Sequence, residues 1–197
     1  MNPVLTALGV PIQVQAFFNS NELLFNYGGH YEHYDTGFHR IPTTTHLWLA
    51  GAEITREVII TSTAMEAIAY LSANLYKYPE LHFLTFIAIG NLPHRNQMLW
   101  IKSHFPKRKL TLVFGNDLMG RLTDIKVVAG LHKKDVTLEL SGSKVNINYN
   151  NVLYQFEQEG LSLYAFEKAA GLRSGCRTSK PKEHITFLDQ LKNHANQ

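Results

Sequence analysis

A strand-like run of apolar residues followed by a helical pattern occurs three times in succession between Glu57 and Leu131. The three apolar runs are EVIITS, LHFLTFIAIG and KLTLVFG, and apolar residues at helical spacing follow each run after a short connection. Repeated strand–helix alternation of this kind favours a parallel sheet covered by helices on both faces. We therefore predict an α/β fold with a parallel sheet of about four strands, in which DVTLEL supplies the fourth strand.

The segments on either side of this alternation have a different character. Residues 1–54 contain short alternating runs such as PIQVQAFF and a Gly-Gly turn, so we predict a small β-rich region there. Residues 55–197 should form the α/β domain, with an insertion at about 141–180 that contains a β-hairpin and a helix. A polar, basic loop, RSGCRTSKPKEH, and a short helix in ITFLDQLKNHA follow the hairpin and its helix.

Composition restricts the class of protein without identifying it. The chain has 197 residues, and its 45% hydrophobic content is enough to build a sizeable core. A formal net charge of +3 permits binding to nucleic acid but does not require it. The single cysteine, Cys176, excludes an internal disulfide. Since we find neither a leader pattern nor an apolar run of membrane-spanning length, we expect a cytoplasmic protein with no membrane partner.

Three pieces of the alternating region, taken in order, resemble the Toprim domain of primases, topoisomerases and related nucleases. VIITSTAMEAIAYL resembles the strand that ends in Glu-Gly and the helix after it, with Glu66 matching and Ser62 at the glutamate position. FIAIGNLPHRNQMLWIK resembles the next strand and helix. LTLVFGNDLMGR resembles the strand that ends in Asp-x-Asp, with Asp117 matching and Gly115 at the first aspartate. The resemblance implies a Rossmann-like Toprim fold.

A fourth piece, ITFLDQLK, resembles an Asp-aromatic-Asn-Asp segment of the primase-like Toprim proteins of plasmids, phages and mobilisation modules; Thr186 stands at its first aspartate. In that family a glutamate acts as general acid or base, and paired aspartates hold Mg²⁺ beside a phosphate. The corresponding positions here are Ser62, Glu66, Gly115, Asp117 and Thr186. Serine does not ionise near neutral pH and glycine offers no ligand, so these departures imply a Toprim-like fold without catalytic residues or a metal. We interpret Asp117 as a helix N-cap.

Polar and basic side chains follow the predicted strands at their carboxyl ends, where ligands of α/β proteins bind. These residues are Thr63, Asn91, His94, Arg95, Asn116 and Arg121. Neutral and cationic donors suit phosphate oxygens, so the set predicts contact with DNA or RNA. The basic loop would extend it with Arg173, Arg177, Lys180 and Lys182.

The sequence leaves three functions open. The first is a non-catalytic Toprim-like protein that binds nucleic acid or assists a replication or mobilisation protein. The second is a divergent phosphodiester enzyme, in which Asp117, Glu66 and another acid would hold Mg²⁺. The third is a protein-interaction module whose surface is the hairpin at 141–158, where an Asn-rich strand would form an open edge.

Three other features have weaker functional interpretations. The histidines of HYEHYDTGFHR, with Asp35, are a candidate zinc site, but strand alternation would place His30 and His33 on opposite faces, and His39 lies further on. A basic run at the amino end of a strand is interpreted as a solvated turn; it contains Lys102, Lys107, Arg108 and Lys109. We expect Cys176 to lie in an exposed loop.

Overall fold

The amino-terminal region of the protein combines two helices with a small antiparallel sheet. The computed structural model describes residues 1–52 and 54–195. The first elements are α1 (Pro3–Ala7), α2 (Ile12–Phe18), β1 (Leu24–Tyr27), β2 (His30–Asp35) and β3 (Phe38–Arg40). The predicted Gly-Gly turn joins β1 to β2. The prediction of a strand in PIQVQAFF is wrong: Val14, Gln15 and Phe18 are buried at helical spacing, and this spacing overrides the apparent alternation.

The middle of the chain forms the predicted alternation. Its elements are β4 (Trp48–Gly51), β5 (Glu57–Thr61), α3 (Ala64–Asn74), β6 (Leu84–Ala88), α4 (Arg95–His104), β7 (Lys109–Val113) and α5 (Leu118–Leu131). The remaining elements are β8 (Val136–Ser141), β9 (Lys144–Tyr149), β10 (Val152–Glu157), α6 (Leu163–Ala170), β11 (Cys176–Thr178) and α7 (Phe187–Ala195).

Within the described residues, the central sheet has five strands in the order β11-β7-β5-β6-β4. The first four are parallel, and the edge strand β4 runs antiparallel to β6. Every residue of β5 and β6 is buried, as expected for strands covered on both faces. Ile59 packs with α3 and α7 on one face, whereas Val58 and Ile60 pack with α4 and α5 on the other. The predicted α/β class, with helices on both faces, is confirmed.

The fourth parallel strand is not the predicted one. DVTLEL forms β8, which pairs with β9 in a separate antiparallel sheet of order β10-β9-β8. Its alternating pattern suits a half-exposed hairpin strand better than a strand buried on both faces. The fourth parallel strand is β11, from the segment predicted as a basic loop, and Cys176 lies in this strand and is partly buried. Because the Asn-rich strand β9 is central in its sheet, it cannot offer the open edge that we predicted.

No helix in the described ranges is both long and apolar enough to cross a lipid bilayer.

Candidate functional site

The carboxyl ends of the parallel strands meet at one edge of the central sheet. Thr61, the last residue of β5, lies opposite Val113, the last residue of β7, so the loops that carry Ser62 and Gly115 leave neighbouring strands. The segment before α7 also reaches this edge, because the Asn116 amide donates to the Ile185 carbonyl at 2.7 Å. The segment after β6 lies here too, since the Gly90 amide donates to the Ser62 carbonyl at 2.9 Å, so the structure brings together all four segments that carry the sequence motifs.

A carboxylate fills the amino end of α3. Glu32, on β2, is 0% exposed and accepts hydrogen bonds from the amides of Ala64 (2.7 Å) and Met65 (3.0 Å). The Thr63 hydroxyl accepts from the third amide of the turn, that of Glu66, at 2.9 Å. Internal groups thus satisfy all three amides of the first turn. An α/β protein often binds phosphate at such a helix start; here the Glu32 carboxylate already takes that place.

Two side chains of the small antiparallel sheet hold Glu32 in position. The Tyr27 hydroxyl donates to one carboxylate oxygen at 2.6 Å, and His39 Nε2 lies 3.0 Å from the other. Burial, reinforced by the adjacent Glu32 charge, raises the pKa of Tyr27 far above its ordinary value, so the hydroxyl remains a donor. The amino-terminal region therefore contributes directly to the strand-end edge.

The same arrangement recurs at α7. The Glu66 carboxylate accepts from the amides of Phe187 (2.8 Å) and Leu188 (3.0 Å). The Thr186 hydroxyl accepts from the third amide, that of Asp189, at 3.0 Å. Burial raises the pKa of Glu66 to about 7, although the two amide bonds act in the opposite direction. Glu66 therefore links the start of one helix to the start of another.

Asp117 caps α5, as the sequence predicts, with Oδ1 accepting from the Gly120 amide at 2.8 Å. A Cβ atom at Gly115 would lie 2.6 Å from that same oxygen, so an aspartate there would displace the cap. A Cβ atom at Gly120 would lie 1.9 Å from the Gly115 carbonyl oxygen. The glycines let the strand end and the helix start approach each other closely.

Three of the predicted nucleic-acid contacts have protein partners at this edge. Thr63 caps α3, and the Asn116 side chain donates to the Pro181 carbonyl at 3.1 Å. The Arg121 guanidinium donates to the carbonyls of Gln158 and Glu159, each at 3.3 Å, and to that of Asn116 at 3.4 Å. These bonds fix the loops around β7.

The other three predicted contact residues, Asn91, His94 and Arg95, follow β6 in the chain. Asn91 is exposed and donates weakly to the Thr43 hydroxyl at 3.4 Å. His94 is the N-cap of α4, where its ring accepts from the Asn96 amide. Arg95 forms an ion pair with Asp135 at 2.7 Å, and both side chains are mostly exposed.

His94 and Arg95 line a recess of about 230 Å³ between the start of α4 and the end of α5. Its other charged side chains are Lys126, Lys133, Lys134 and Asp135. A second recess, of about 260 Å³, shares the last three and adds polar residues of the β8–β10 sheet, among them Asn148, Asn150 and Asn151.

A buried ion pair lies beneath the other side of α5. Lys180 Nζ is 2.7 Å from Asp124 Oδ2 and also donates to the Phe114 carbonyl. Burial raises the pKa of Asp124 to about 6, while the Lys180 charge acts to lower it. Lys180 therefore has a structural partner, whereas Arg173, Arg177 and Lys182 of the predicted basic loop are exposed.

The remaining sequence candidates have ordinary surroundings. Burial raises the pKa of Cys176 to about 11, which disfavours a reactive thiolate. Lys109 begins β7 at the amino end of the sheet, as expected, and pairs with Glu57. His30 and His33 are exposed, and the described residues contain no group of three or more side chains placed to hold a metal ion.

Sequence inspection missed Glu32 and the lysines beside Arg95. A signal for Glu32 existed: alternation along HYEHYD places it on the same face as the buried Tyr34. Lys133 and Lys134 directly follow α5, which carries Lys126, but no local pattern places these lysines beside Arg95.

These features define an α/β protein with a mostly parallel sheet. Near the carboxyl ends of its strands, carboxylates accept hydrogen bonds from the first amides of helices. Comparison with known protein families, curated proteins and solved structures finds no match to this chain. The chain's own geometry is therefore the basis for proposing its function.

Proposed function

We propose that this chain is a non-catalytic, Toprim-like protein that binds nucleic acid or assists a replication or mobilisation protein. The observation that carries the proposal is the use of the carboxylates at the strand ends. Glu66 accepts two amides of α7, and Asp117 accepts an amide of α5. The remaining motif positions, Ser62, Gly115 and Thr186, provide no carboxylate.

This donor set does not fit Mg²⁺. The ion usually takes one or two carboxylates together with phosphate oxygens, and both candidate carboxylates already accept backbone amides. An aspartate restored at Gly115 would also displace Asp117 from its cap. Phosphoryl transfer at this edge would therefore lack both a metal clamp and a proton carrier.

Binding to nucleic acid is compatible with these residues because it needs neither metal nor catalytic acid. Contacts to the phosphate backbone require cationic and neutral donors, and affinity then depends on released counterions. The start of α3, occupied by Glu32, is unsuited to a phosphate, whereas Arg95 is exposed and near three lysines. The supporting groups are therefore distinct from Ser62, Glu66, Gly115, Asp117 and Thr186.

The catalytic part is tested by calorimetric titration with Mg²⁺ and Mn²⁺, alongside nuclease and primase assays, on wild type and Asp117→Ala. We expect no tight metal binding and no turnover in either protein. Asp117→Ala should lose only a helix cap, about 0.5–2 kcal/mol of stability. Metal-dependent turnover that disappears in Asp117→Ala would refute the proposal and favour the divergent enzyme.

The binding part is tested by fluorescence anisotropy with labelled single-stranded and duplex DNA and RNA at low salt. We expect binding at micromolar protein that weakens steeply as salt is added. Absence of binding to every one of these probes would contradict the nucleic-acid role.

A further inference from the structure

We infer that the nucleic-acid backbone binds in a cleft beside α4 and α5. The lysine cleft, as we call it, consists of the two adjoining recesses lined by His94, Arg95, Lys126, Lys133, Lys134, Asp135, Asn148, Asn150 and Asn151. This inference rests on the proposed function, since it names the surface and the ligand chemistry through which that function would operate.

The cleft consists of two adjoining concave recesses. Its first recess lies between the start of α4 and the end of α5, and its second lies along the β8–β10 sheet. Lys133, Lys134 and Asp135 line both recesses, so the two adjoin. An extended chain of phosphates can follow such a depression, whereas a flat surface would offer contact on one side only.

The charge of the cleft is strongly unbalanced. Lys126, Lys133 and Lys134 are exposed, and none of them forms an ion pair with another described residue. Arg95 is already paired with Asp135, the carboxylate that lines the cleft. Three unpaired lysines carry a charge equal to the formal net charge of the entire chain, +3. Isolated surface lysines usually serve solubility, but three lysines around one depression produce a local positive potential.

Neutral amides extend the cleft beyond the lysines. Asn150 and Asn151 form the turn between β9 and β10, with φ values of 51° and 66°. Lys134 Nζ donates to Asn150 Oδ1 at 3.1 Å, which orients the lysine toward the turn. Amide groups can donate to phosphate oxygens and can pair with base edges, so they suit a nucleic acid.

The test compares two triple variants by anisotropy with a labelled single-stranded DNA and a labelled duplex. The cleft variant is Lys126→Gln, Lys133→Gln, Lys134→Gln, and the matched control is Lys77→Gln, Lys107→Gln, Lys168→Gln, which removes the same charge from exposed side chains elsewhere. We expect at least a tenfold rise in Kd for the cleft variant and less than a threefold rise for the control. An all-arginine cleft variant should restore binding, because arginine also contacts phosphate.

Salt gives a second readout. If all three lysines neutralise phosphates, raising salt from 50 to 200 mM should weaken wild-type binding about 20-fold for a single strand and about 40-fold for a duplex. The cleft variant should lose most of this dependence. Polyglutamate of matched charge should compete poorly.

The outcomes separate the two levels of the proposal. If wild type and the cleft variant bind equally well, the cleft is refuted and the proposed function stands. Equal losses in the two variants would also refute it, because net charge alone would then explain binding. Polyglutamate that competes as well as DNA would identify an acidic peptide as the partner instead. Wild type that binds none of the nucleic acids would refute the nucleic-acid role of the proposed function together with the cleft.

Discussion

At the scale of single residues, Glu66 makes stability depend on pH. Burial raises its pKa from 4.5 to about 7. Between these values the folded protein keeps a proton that the unfolded chain has released, so stability must fall as the pH rises through this window. The free energy of unfolding should fall by about 3 kcal/mol and should level off above pH 7.

Glu66→Gln tests this expectation because glutamine keeps one acceptor oxygen and cannot titrate. Wild type should be more stable relative to the variant at pH 4.5 than at pH 7.5, as measured by urea unfolding across that range. Glu183→Gln, at an exposed position, controls for the loss of one acidic group. A stability difference between wild type and Glu66→Gln that stays constant or grows with pH would contradict the expectation.

At the scale of elements, the contact between β7 and α5 depends on Gly120. A methyl group there would lie 1.9 Å from the Gly115 carbonyl oxygen, which is backbone and has little freedom to move. Gly120→Ala should therefore destabilise the protein by about 1–3 kcal/mol, the usual cost of overpacking. The shift in the urea midpoint measures it.

Gly160→Ala is the matched control, because its nearest neighbour would be the Glu157 carbonyl at 3.8 Å, an ordinary contact. We expect it to change stability by less than about 0.5 kcal/mol. Equal effects of the two substitutions would mean that the close approach of helix and strand is not what Gly120 provides.

At the scale of the whole molecule, α7 completes one face of the sheet. It contributes the buried Phe187 and Leu188 and the two amides that satisfy Glu66. A chain ending at Ile185 would expose core and leave a buried carboxyl without these partners, so it should lose cooperative unfolding. A chain ending at Lys192 keeps the first turn of α7 and should unfold cooperatively. Near-ultraviolet circular dichroism during a thermal melt distinguishes the two.

The sequence predicts the centre of the fold better than its edges. β5, β6 and β7 are continuous apolar runs, so their strand character and order along the chain are visible without a structure. The edge strand β11 has only three residues, Cys-Arg-Thr, and pairs on one side, so no apolar run marks it. In PIQVQAFF, apolar residues fit both periods, and packing decides in favour of a helix.

In the candidate site, too, the sequence predicts the local contacts and misses those between distant residues. Asp117 caps an amide three residues away, so a local pattern suffices to predict it. Glu32 and Glu66 accept amides 32 to 33 and 121 to 122 residues away, and such partners depend on the folded topology. The three lysines of the cleft are close in the sequence, in α5 and the connection after it, whereas the fold places Arg95 of α4 beside them, which the sequence alone does not show.

The link between Glu66 and α7 also affects how the protein can mature during translation. Phe187 follows Glu66 by 121 residues, so the ribosome makes the carboxyl long before the amides that it will accept. Until then, burial of Glu66 would leave its carboxyl unsatisfied, and water remains the better partner. The α3 face of the sheet can therefore close only after α7 has been made, whereas the helices of the opposite face, which precede α7 in the chain, can pack earlier.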